Sequence, residues 1–327
     1  MSEFIESLKI PRKLMLLVPA GKVVDTVIES IKPHLSQGDI IIDGGNSHYN
    51  DTQRRMEQLE KDGLHYLGMG VSGGEKGARL GPSLMPGGKV EAYAPAKDIL
   101  EAAAAKVEGE ACVTFLGKGA AGHYVKMVHN GIEYGIMQLL AESYAILHRV
   151  GGLNENQLHL AFDEWNKGDL QSFLVEITAD IFKQKDDLLE GEMLINSILD
   201  SAKQKGTGKW TSQSAMDLGV GIPSIDSAVT MRFQSALKNE RVEAEKLLTG
   251  PAFQFEVEQE QLIQQVHDAL YFAILITYAQ GFAMLKKASD EMNFGLKLAD
   301  VARIWRGGCI IRAKMLEQFM EAFRTKP

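Results

Sequence analysis

Short apolar runs alternate with longer, partly polar stretches along the first third of the chain. The apolar runs predict strands at residues 13–18, 39–43 and 64–69, because each is too short for a helix and is followed by turn-forming residues. Residues 22–35 have the apolar spacing of a helix, and residues 49–62 predict a polar helix. Strands that alternate with helices in this way predict a parallel, doubly wound sheet.

The pattern changes near residue 120. Before it we predict a glycine-rich loop after Met69, a helix over residues 95–107 and a fourth strand at residues 113–116. After it the spacing is helical, over residues 123–150, 155–182, 225–249 and 258–287. The predicted fold class is therefore α/β followed by all-α: a partial, Rossmann-like parallel sheet in residues 1–120 and a large helical domain in residues 121–327.

Composition narrows the functional classes. The 327 residues are 45% hydrophobic and 24% charged, which is typical of a soluble globular protein of two domains. The net charge of −8 argues against a nucleic-acid partner. Cys112 and Cys309 are far apart and form no metal motif, as expected of reduced thiols in the cytoplasm. Residues 269–285 are apolar but short for a membrane span, so we expect a buried helix and no membrane.

Two glycine patterns match the dinucleotide fingerprint G-x-G-x-x-G, at residues 68–73 and 117–122. The fingerprint needs a strand before it, a helix that opens within it and a second strand after the helix. The first match continues into a predicted loop, and no predicted strand follows the second. Neither is therefore expected to bind a pyrophosphate, and the usual phosphate-binding unit is expected to be absent.

The segment HYVKMVHNGIEYG, residues 123–135, is the richest in chemistry. On a helix, Lys126, Asn130 and Glu133 lie on one face, and His129 lies beside them. A solvated polar face with a Lys–Glu pair is the ordinary alternative, and on the residues alone it stays open. The flanking residues are apolar nearly all round, and burial favours the neutral amine of Lys126, which can accept a proton.

Three loops have the composition of ligand-binding loops. Residues 44–47 (GGNS) and 72–74 (SGG) each follow a predicted strand, at the edge of the sheet where parallel folds bind ligands. Their small residues allow backbone N–H groups to approach an anion. Residues 203–211 (KQKGTGKWT) combine three lysines with two glycines and suit a phosphate. Tight turns and a plain exposed loop are the alternatives.

Five segments together resemble one family: DIIIDGGNSHYNDT, GVSGGEKGARLGPSLMPGG, GHYVKMVHNGIEYG, KGTGKWT and RGGCIIR. Their order and spacing are similar to those of 6-phosphogluconate dehydrogenases. The resemblance implies oxidation of the C3 hydroxyl of 6-phosphogluconate with NADP, loss of carbon dioxide and formation of ribulose 5-phosphate, as in the pentose phosphate pathway. It also implies a homodimer.

The resemblance further implies a role for individual residues. Lys126 matches the general base and Glu133 the general acid of the family. The residues that match substrate contacts are Asn46, Ser72, Gly73, Gly74, His129, Asn130, Tyr134, Lys205, Thr207 and Arg232, the last four at the phosphate group. Those that match cofactor contacts are Val18, Pro19, Ala20 and Asn46.

The chain also departs from the family pattern. Pro19 stands where many members have Lys, and Ala120 stands where the GAGH loop has an earlier Gly. We expect the chain to lack the front of the cofactor domain and the family's C-terminal tail. Two alternatives to a working oxidoreductase are a non-catalytic dimerisation or sugar-phosphate-binding module, and a related 3-hydroxyacid dehydrogenase. The KGTGKWT loop and Arg232 disfavour the latter, because they suit a phosphorylated substrate.

Overall fold

A four-stranded sheet organises the N-terminal part of the chain. The computed structural model describes residues 2–248, 250 and 258–326. The strands lie in the order β1 (Lys13–Leu16), β2 (Ile40–Asp43), β3 (His65–Ser72) and β4 (Ser83–Gly87). The first three are parallel and the fourth is antiparallel to β3. The carboxyl ends of β1, β2 and β3 therefore share one edge of the sheet, the edge at which parallel folds bind ligands.

Helices cover both faces of this sheet. They are α1 (Ser2–Glu6), α2 (Lys22–Ile31), α3 (Tyr49–Lys61), α4 (Gly74–Leu80), α5 (Val90–Tyr93) and α6 (Lys97–Ala103). On one face, Val24 and Ile28 of α2 pack in a cluster with Leu14 of β1. On the other, Leu100 of α6 packs in a cluster with Leu67 of β3. The doubly covered, Rossmann-like arrangement confirms the predicted fold class.

The structure corrects the prediction for residues 72–116. Residues predicted as a loop contain α4 and β4. Pro86 and the glycines of this stretch interrupt the apolar pattern, so β4 was not predicted as a strand. Residues 113–116, predicted as a strand, form only an isolated bridge beside β4, between Val113 and Leu84, and the next bridge to β4 is made by Gly117. Leu116 donates its N–H to the Pro86 carbonyl, but Pro86 has no N–H to continue the ladder. A hairpin, β5 (Lys106–Val107) and β6 (Glu110–Ala111), precedes this stretch.

The rest of the chain, where described, is helical and has no strand after β6. Its helices are α7 (Ala121–Ala145, continued by a π-helical turn Ile146–Val150), α8 (Glu155–Trp165), α9 (Phe173–Phe182), α10 (Leu194–Ser197), α11 (Thr207–Leu218), α12 (Pro223–Ala236), α13 (Lys238–Leu247), α14 (Gln259–Glu291), α15 (Leu298–Trp305) and α16 (Met315–Thr325). Two stretches predicted as single helices are divided. The stretch predicted over residues 155–182 is divided into α8 and α9, and Ser172 starts α9 by accepting a hydrogen bond from the Val175 N–H. The stretch predicted over residues 225–249 is divided into α12 and α13, and its last residue, Thr249, lies outside the described residues.

Two compact units divide the chain differently from the predicted boundary near residue 120. One contains Met1–His129, Phe282–Arg312 and Leu316–Pro327, and the other contains Asn130–Gly281 and Ala313–Met315. The division falls inside α7, between His129 and Asn130, whereas α7 itself begins at Ala121. The first unit holds Val18, Pro19, Ala20, Asn46, Ser72, Gly73, Gly74, Lys126 and His129. The second holds Asn130, Glu133, Tyr134, Lys205, Thr207 and Arg232.

Candidate active site

A buried carboxylate shapes the loop that follows β2. Asp43 is fully buried, and its Oδ1 accepts a hydrogen bond from the Gly45 N–H at 3.0 Å. Its Oδ2 accepts from the Ser47 hydroxyl at 2.6 Å and from the Tyr66 hydroxyl at 2.8 Å. Burial and the Asp43 carboxylate both raise the pKa of Tyr66, so the phenol stays a donor. Asn46, between two tethered residues, is exposed at the edge of the sheet.

The loop after β1 lies against this β2 loop. A Cβ added to Gly45 would lie 3.0 Å from the Val18 carbonyl oxygen, a tight contact, so the glycine favours the close approach of the two loops. Pro19 and Ala20, which follow Val18, are exposed. The structure therefore brings together two of the predicted cofactor segments at the carboxyl ends of adjacent parallel strands. Two neighbouring loops that approach each other at a glycine, at this edge of the sheet, fit a dinucleotide.

The loop after β3 combines a buried hydroxyl with two glycines. Ser72 Oγ lies 3.0 Å from His129 Nε2 and accepts a hydrogen bond from the Ile310 N–H at 3.3 Å. Gly73 and Gly74 have φ angles of 130° and 56°, which favour glycine. Ser72 is buried and Gly74 is exposed, so the loop leads from the core to the surface.

Helix α7 places Lys126 against the sheet. The side chain is buried, with an exposed fraction of 6%. A Cβ added to Gly70 of β3 would lie 2.4 Å from the Lys126 Cβ, so the glycine lets the helix approach the strand. His129, one turn further on, is fully buried, and its ring meets the Trp305 ring edge-on at a centroid distance of 5.6 Å. The apolar surroundings predicted for this helix are therefore present.

A second polar group lies within the helical unit. Asn130 donates a hydrogen bond from Nδ2 to Thr207 Oγ1 at 3.2 Å. The Arg232 guanidinium lies 4.0 Å from the centroid of the Tyr134 ring and donates to the Lys203 carbonyl at 2.7 Å. Helix α12 is thus joined both to α7 and to the 203–207 loop. In that loop Lys205 is exposed and Thr207 buried, while Glu133 on α7 is half-buried.

Sequence reasoning missed several polar contacts because their partners are distant in the chain. His123 Nδ1 lies 2.6 Å from Thr52 Oγ1, and burial lowers the pKa of His123. The buried guanidinium of Arg55 donates to Asp25 on α2. The segment RGGCIIR resembles the family pattern but has no role predicted from its residues, and its Ile310 contacts the Ser72 loop. Residue types alone carried no signal for these pairs.

Two further properties of the described residues bear on function. No group of three or more His, Cys, Asp or Glu residues that could hold a metal ion occurs among them. One helix, α14, is long and apolar enough to cross a membrane, with a mean hydropathy of 1.4 over its best window. Core helices of soluble proteins pass the same test, and Leu270, Ile274 and Tyr278 of α14 are buried.

The covered sheet, the glycine loops at the carboxyl ends of its parallel strands and the buried lysine on α7 fit a dinucleotide-dependent oxidoreductase. Two family models match the chain: the NAD-binding domain of 6-phosphogluconate dehydrogenase over residues 1–117, and the C-terminal domain of 6-phosphogluconate dehydrogenase over residues 122–327. The chain belongs to the 6-phosphogluconate dehydrogenase family. The match from residue 1 gives no support to the expectation that the front of the cofactor domain is missing.

Individual relatives agree with the family models. The NADP(+)-dependent, decarboxylating 6-phosphogluconate dehydrogenase of Bacillus subtilis strain 168 is 56% identical over 326 residues, which cover 99% of this chain and 69% of the relative. The decarboxylating enzyme of Lactococcus lactis strain IL1403 is 52% identical, with the same coverage.

Solved structures show the same relationship. The Plasmodium falciparum 6-phosphogluconate dehydrogenase, solved apo, with NADP+ and with 6-phosphogluconate, has a TM-score of 0.96 at 45% identity and covers 100% of this chain and 70% of its own. A 3-hydroxyisobutyrate dehydrogenase of Salmonella typhimurium, 18% identical with a TM-score of 0.50, covers 77% of this chain and 79% of its own and shares the fold alone.

Proposed function

We propose that this protein oxidises and decarboxylates 6-phosphogluconate to ribulose 5-phosphate with NADP. The observation that carries the proposal is the buried Lys126 on an unbroken helix whose same face carries Asn130 and Glu133. A buried amine beside further polar groups is suited to proton transfer. Membership of the family supports the same reaction, because the relatives are named for it.

In the first step, Lys126 acts as the general base. Its neutral amine takes the proton of the C3 hydroxyl while the hydrogen on C3 leaves as hydride, so that C3 becomes a ketone. When bound, NADP accepts that hydride. The close approach of α7 to Gly70 supports this role, because packing of the buried side chain against the strand restricts where the amine can lie.

In the second step, the bond between C1 and C2 breaks. The new ketone at C3 accepts the electron pair of that bond, and its oxygen takes back the proton that Lys126 holds, so that carbon dioxide leaves and an enediol forms. Glu133, half-buried two turns after Lys126, is proposed to donate a proton to C2 of the enediol while Lys126 takes the proton of the C3 hydroxyl, which gives ribulose 5-phosphate. Two acid–base groups at a separation of seven residues on one helix face divide these proton transfers between them.

The carboxylate end of the substrate is assigned to Ser72, Gly73 and Gly74, with His129 and Asn130 contributing to carboxylate and hydroxyl recognition. Two consecutive glycines with positive φ angles support this assignment, because backbone N–H groups without side chains can approach an anion. The 3.0 Å contact of Ser72 Oγ with His129 Nε2 fixes the position of a hydroxyl group at the same loop. Asn46 on the β2 loop is proposed to contact both substrate and nicotinamide.

The phosphate end is assigned to Tyr134, Lys205, Thr207 and Arg232. Arg232 is supported by its two restraints, the Tyr134 ring and the Lys203 carbonyl, which hold a guanidinium ready for an anion. Lys205 is exposed in the loop that Arg232 secures, and the cation can therefore reach a phosphate from solvent. Val18, Pro19 and Ala20, with Asn46, are proposed to hold NADP at the carboxyl edge of the sheet.

A substrate comparison tests the proposed function. With 6-phosphogluconate and NADP, the chain should form reduced nicotinamide and carbon dioxide in equal amounts. Unphosphorylated gluconate should react with a KM higher by about two orders of magnitude, because the charge-assisted bonds to its phosphate are lost. Binding of 6-phosphogluconate without either product would instead favour the sugar-phosphate-binding module. A homodimer, also proposed from the family resemblance, is tested by light scattering.

A further inference from the structure

The 306–310 segment, which directly follows α15, touches the Ser72 loop yet has no part in the proposed chemistry. The Ile310 N–H donates to Ser72 Oγ, and a Cβ added to Gly73 would lie 2.6 Å from the Gly308 carbonyl oxygen. That carbonyl also accepts a hydrogen bond from the Ser83 N–H of β4 at 2.7 Å. The segment therefore lies in direct contact with the turn that presents Gly73.

The segment has little freedom to move. Gly308 has a φ of 66°, and a Cβ there would lie 2.6 Å from the Pro82 carbonyl carbon. A Cβ on Gly307 would lie 2.6 Å from Val107 Cγ2 and 3.1 Å from Cys112 Sγ. The two 2.6 Å distances are shorter than real contacts allow. Gly308 meets backbone atoms at a positive φ and therefore requires glycine, whereas a side chain at Gly307 would force Val107 or the segment to shift. The backbone is held between the hairpin on one side and the β4 region on the other.

Ion pairs hold the same segment at its first residue, Arg306. The Arg306 side chain is 5% exposed and pairs with Glu108 at 3.1 Å and Glu110 at 3.4 Å, both on the β5–β6 hairpin. Arg303, one turn earlier on α15, donates to the carbonyls of Ala111 and Val113. Helix α15 and the hairpin are thus joined by two arginines that flank the start of the segment.

We propose that the 306–310 segment is a positioning element for the carboxylate-binding loop, acting through the Ile310 N–H on Ser72. By donating to Ser72 Oγ, this N–H sets the oxygen's position relative to His129 Nε2, so two recognition groups are aligned by a residue 238 positions away. The inference rests on the proposed function, in which Ser72 and His129 bind the substrate's carboxylate end. The steric limit at Gly307 offers a way to displace the segment by a small, defined amount.

The test uses Gly307→Ala, Val107→Ala and the double variant. Gly307→Ala should push the segment from the hairpin and weaken 6-phosphogluconate binding about tenfold by calorimetry, because the aligned groups are displaced. The double variant, which removes the nearest clashing methyl, should restore much of the affinity. Val107→Ala alone should bind normally, and NADP affinity should stay unchanged in all three. Thermal unfolding, followed alongside, identifies variants that are merely less stable, which would lose affinity for both ligands.

A second measurement is independent of substrate. The ring-nitrogen NMR shifts of His129 in the ligand-free protein should change in Gly307→Ala and return in the double variant, because Ser72 contacts Nε2. Unchanged shifts and affinity in Gly307→Ala would overturn the positioning role. If the unmodified chain failed to bind 6-phosphogluconate, the proposed function would be wrong, and the nitrogen shifts would still decide for or against the contact through Ser72.

Discussion

At the scale of single residues, Lys126 carries the most specific prediction. Lys126→Met keeps a long apolar stem against Gly70 but removes the amine that takes the hydroxyl proton. Turnover of 6-phosphogluconate should fall by about 10³-fold, in the range for loss of a general base. Initial rates of nicotinamide reduction measure it, with calorimetry of 6-phosphogluconate as the control for folding. A variant with near-normal turnover would refute the assignment of Lys126.

The same residues show how far sequence reasoning reaches. The helical spacing of Lys126, Asn130 and Glu133 was predictable because all three lie within two turns of one helix. The contact of Ser72 with His129 was not, since the pair is 57 positions apart, and the Ile310 contact spans 238. Family resemblance grouped Ser72 and His129 as substrate contacts but supplied no geometry. Contacts of this kind depend on tertiary packing, which local periodicity does not encode.

At the scale of elements, an ion pair between α2 and α3 predicts a pH dependence. Arg55 donates to both oxygens of Asp25 and Arg54 donates to one, and the bond with Arg55 is the main cause that lowers the pKa of Asp25 to about 2. Because this value lies below the ordinary 3.8, the contribution to stability is present above about pH 4 and is lost as the pH falls towards 2.

Asp25→Asn should therefore lower the free energy of unfolding by roughly 1 kcal/mol near neutral pH, less than the full shift implies because Asp25 is partly exposed. The difference from the unmodified chain should shrink between pH 4 and pH 2, as followed by urea unfolding. Asp62→Asn, which breaks the more exposed pair with Lys32, is the matched control and should change stability less. An Asp25→Asn difference that is constant with pH would contradict the ion-pair argument.

Elements also differed in how well their sequences predicted them. The parallel strands were found because their apolar runs are unbroken, whereas β4 was missed because SLMPG contains Pro86 and a glycine. Residues 155–182 were predicted as one helix, although Ser172 is a good start signal and Gly168 precedes it by four residues. In both cases the apolar pattern predicted one element, whereas the turn and cap residues determine where the elements begin and end.

At the scale of the whole molecule, the sheet order gives β1 an edge position. Among the described strands β1 pairs with β2 alone, and Met15 and Leu17 beside it are 44% and 66% exposed. Lys13 places one charge at the start of β1, but the exposed side chains beyond it are apolar, which favours pairing with another chain. We expect concentration-dependent association through β1, beyond any dimer formed elsewhere, measured by size-exclusion chromatography with light scattering.

Met15→Lys should reduce this association, because a charge on an edge strand opposes pairing. Leu160→Lys is the control: Leu160 is 58% exposed, but it lies on α8, where the backbone groups are already paired within the helix. A clean, stable dimer for the unmodified chain that resists proteolysis near Lys13 would show the edge argument to be wrong. Equal effects of both substitutions would indicate non-specific association through exposed apolar side chains rather than strand pairing.

The unbroken run of α7 over 25 residues limits how the chain can change in length. Each residue added to a helix turns everything beyond it by about 100° and advances it by about 1.5 Å. A one-codon insertion between Lys126 and Glu133 would therefore carry the carboxylate to a different side of the helix, even if every original side chain were kept. Substitutions in this stretch preserve the angular phase. The coding segment for α7 should thus accept point changes far more readily than insertions or deletions, and length variation should collect in the loops.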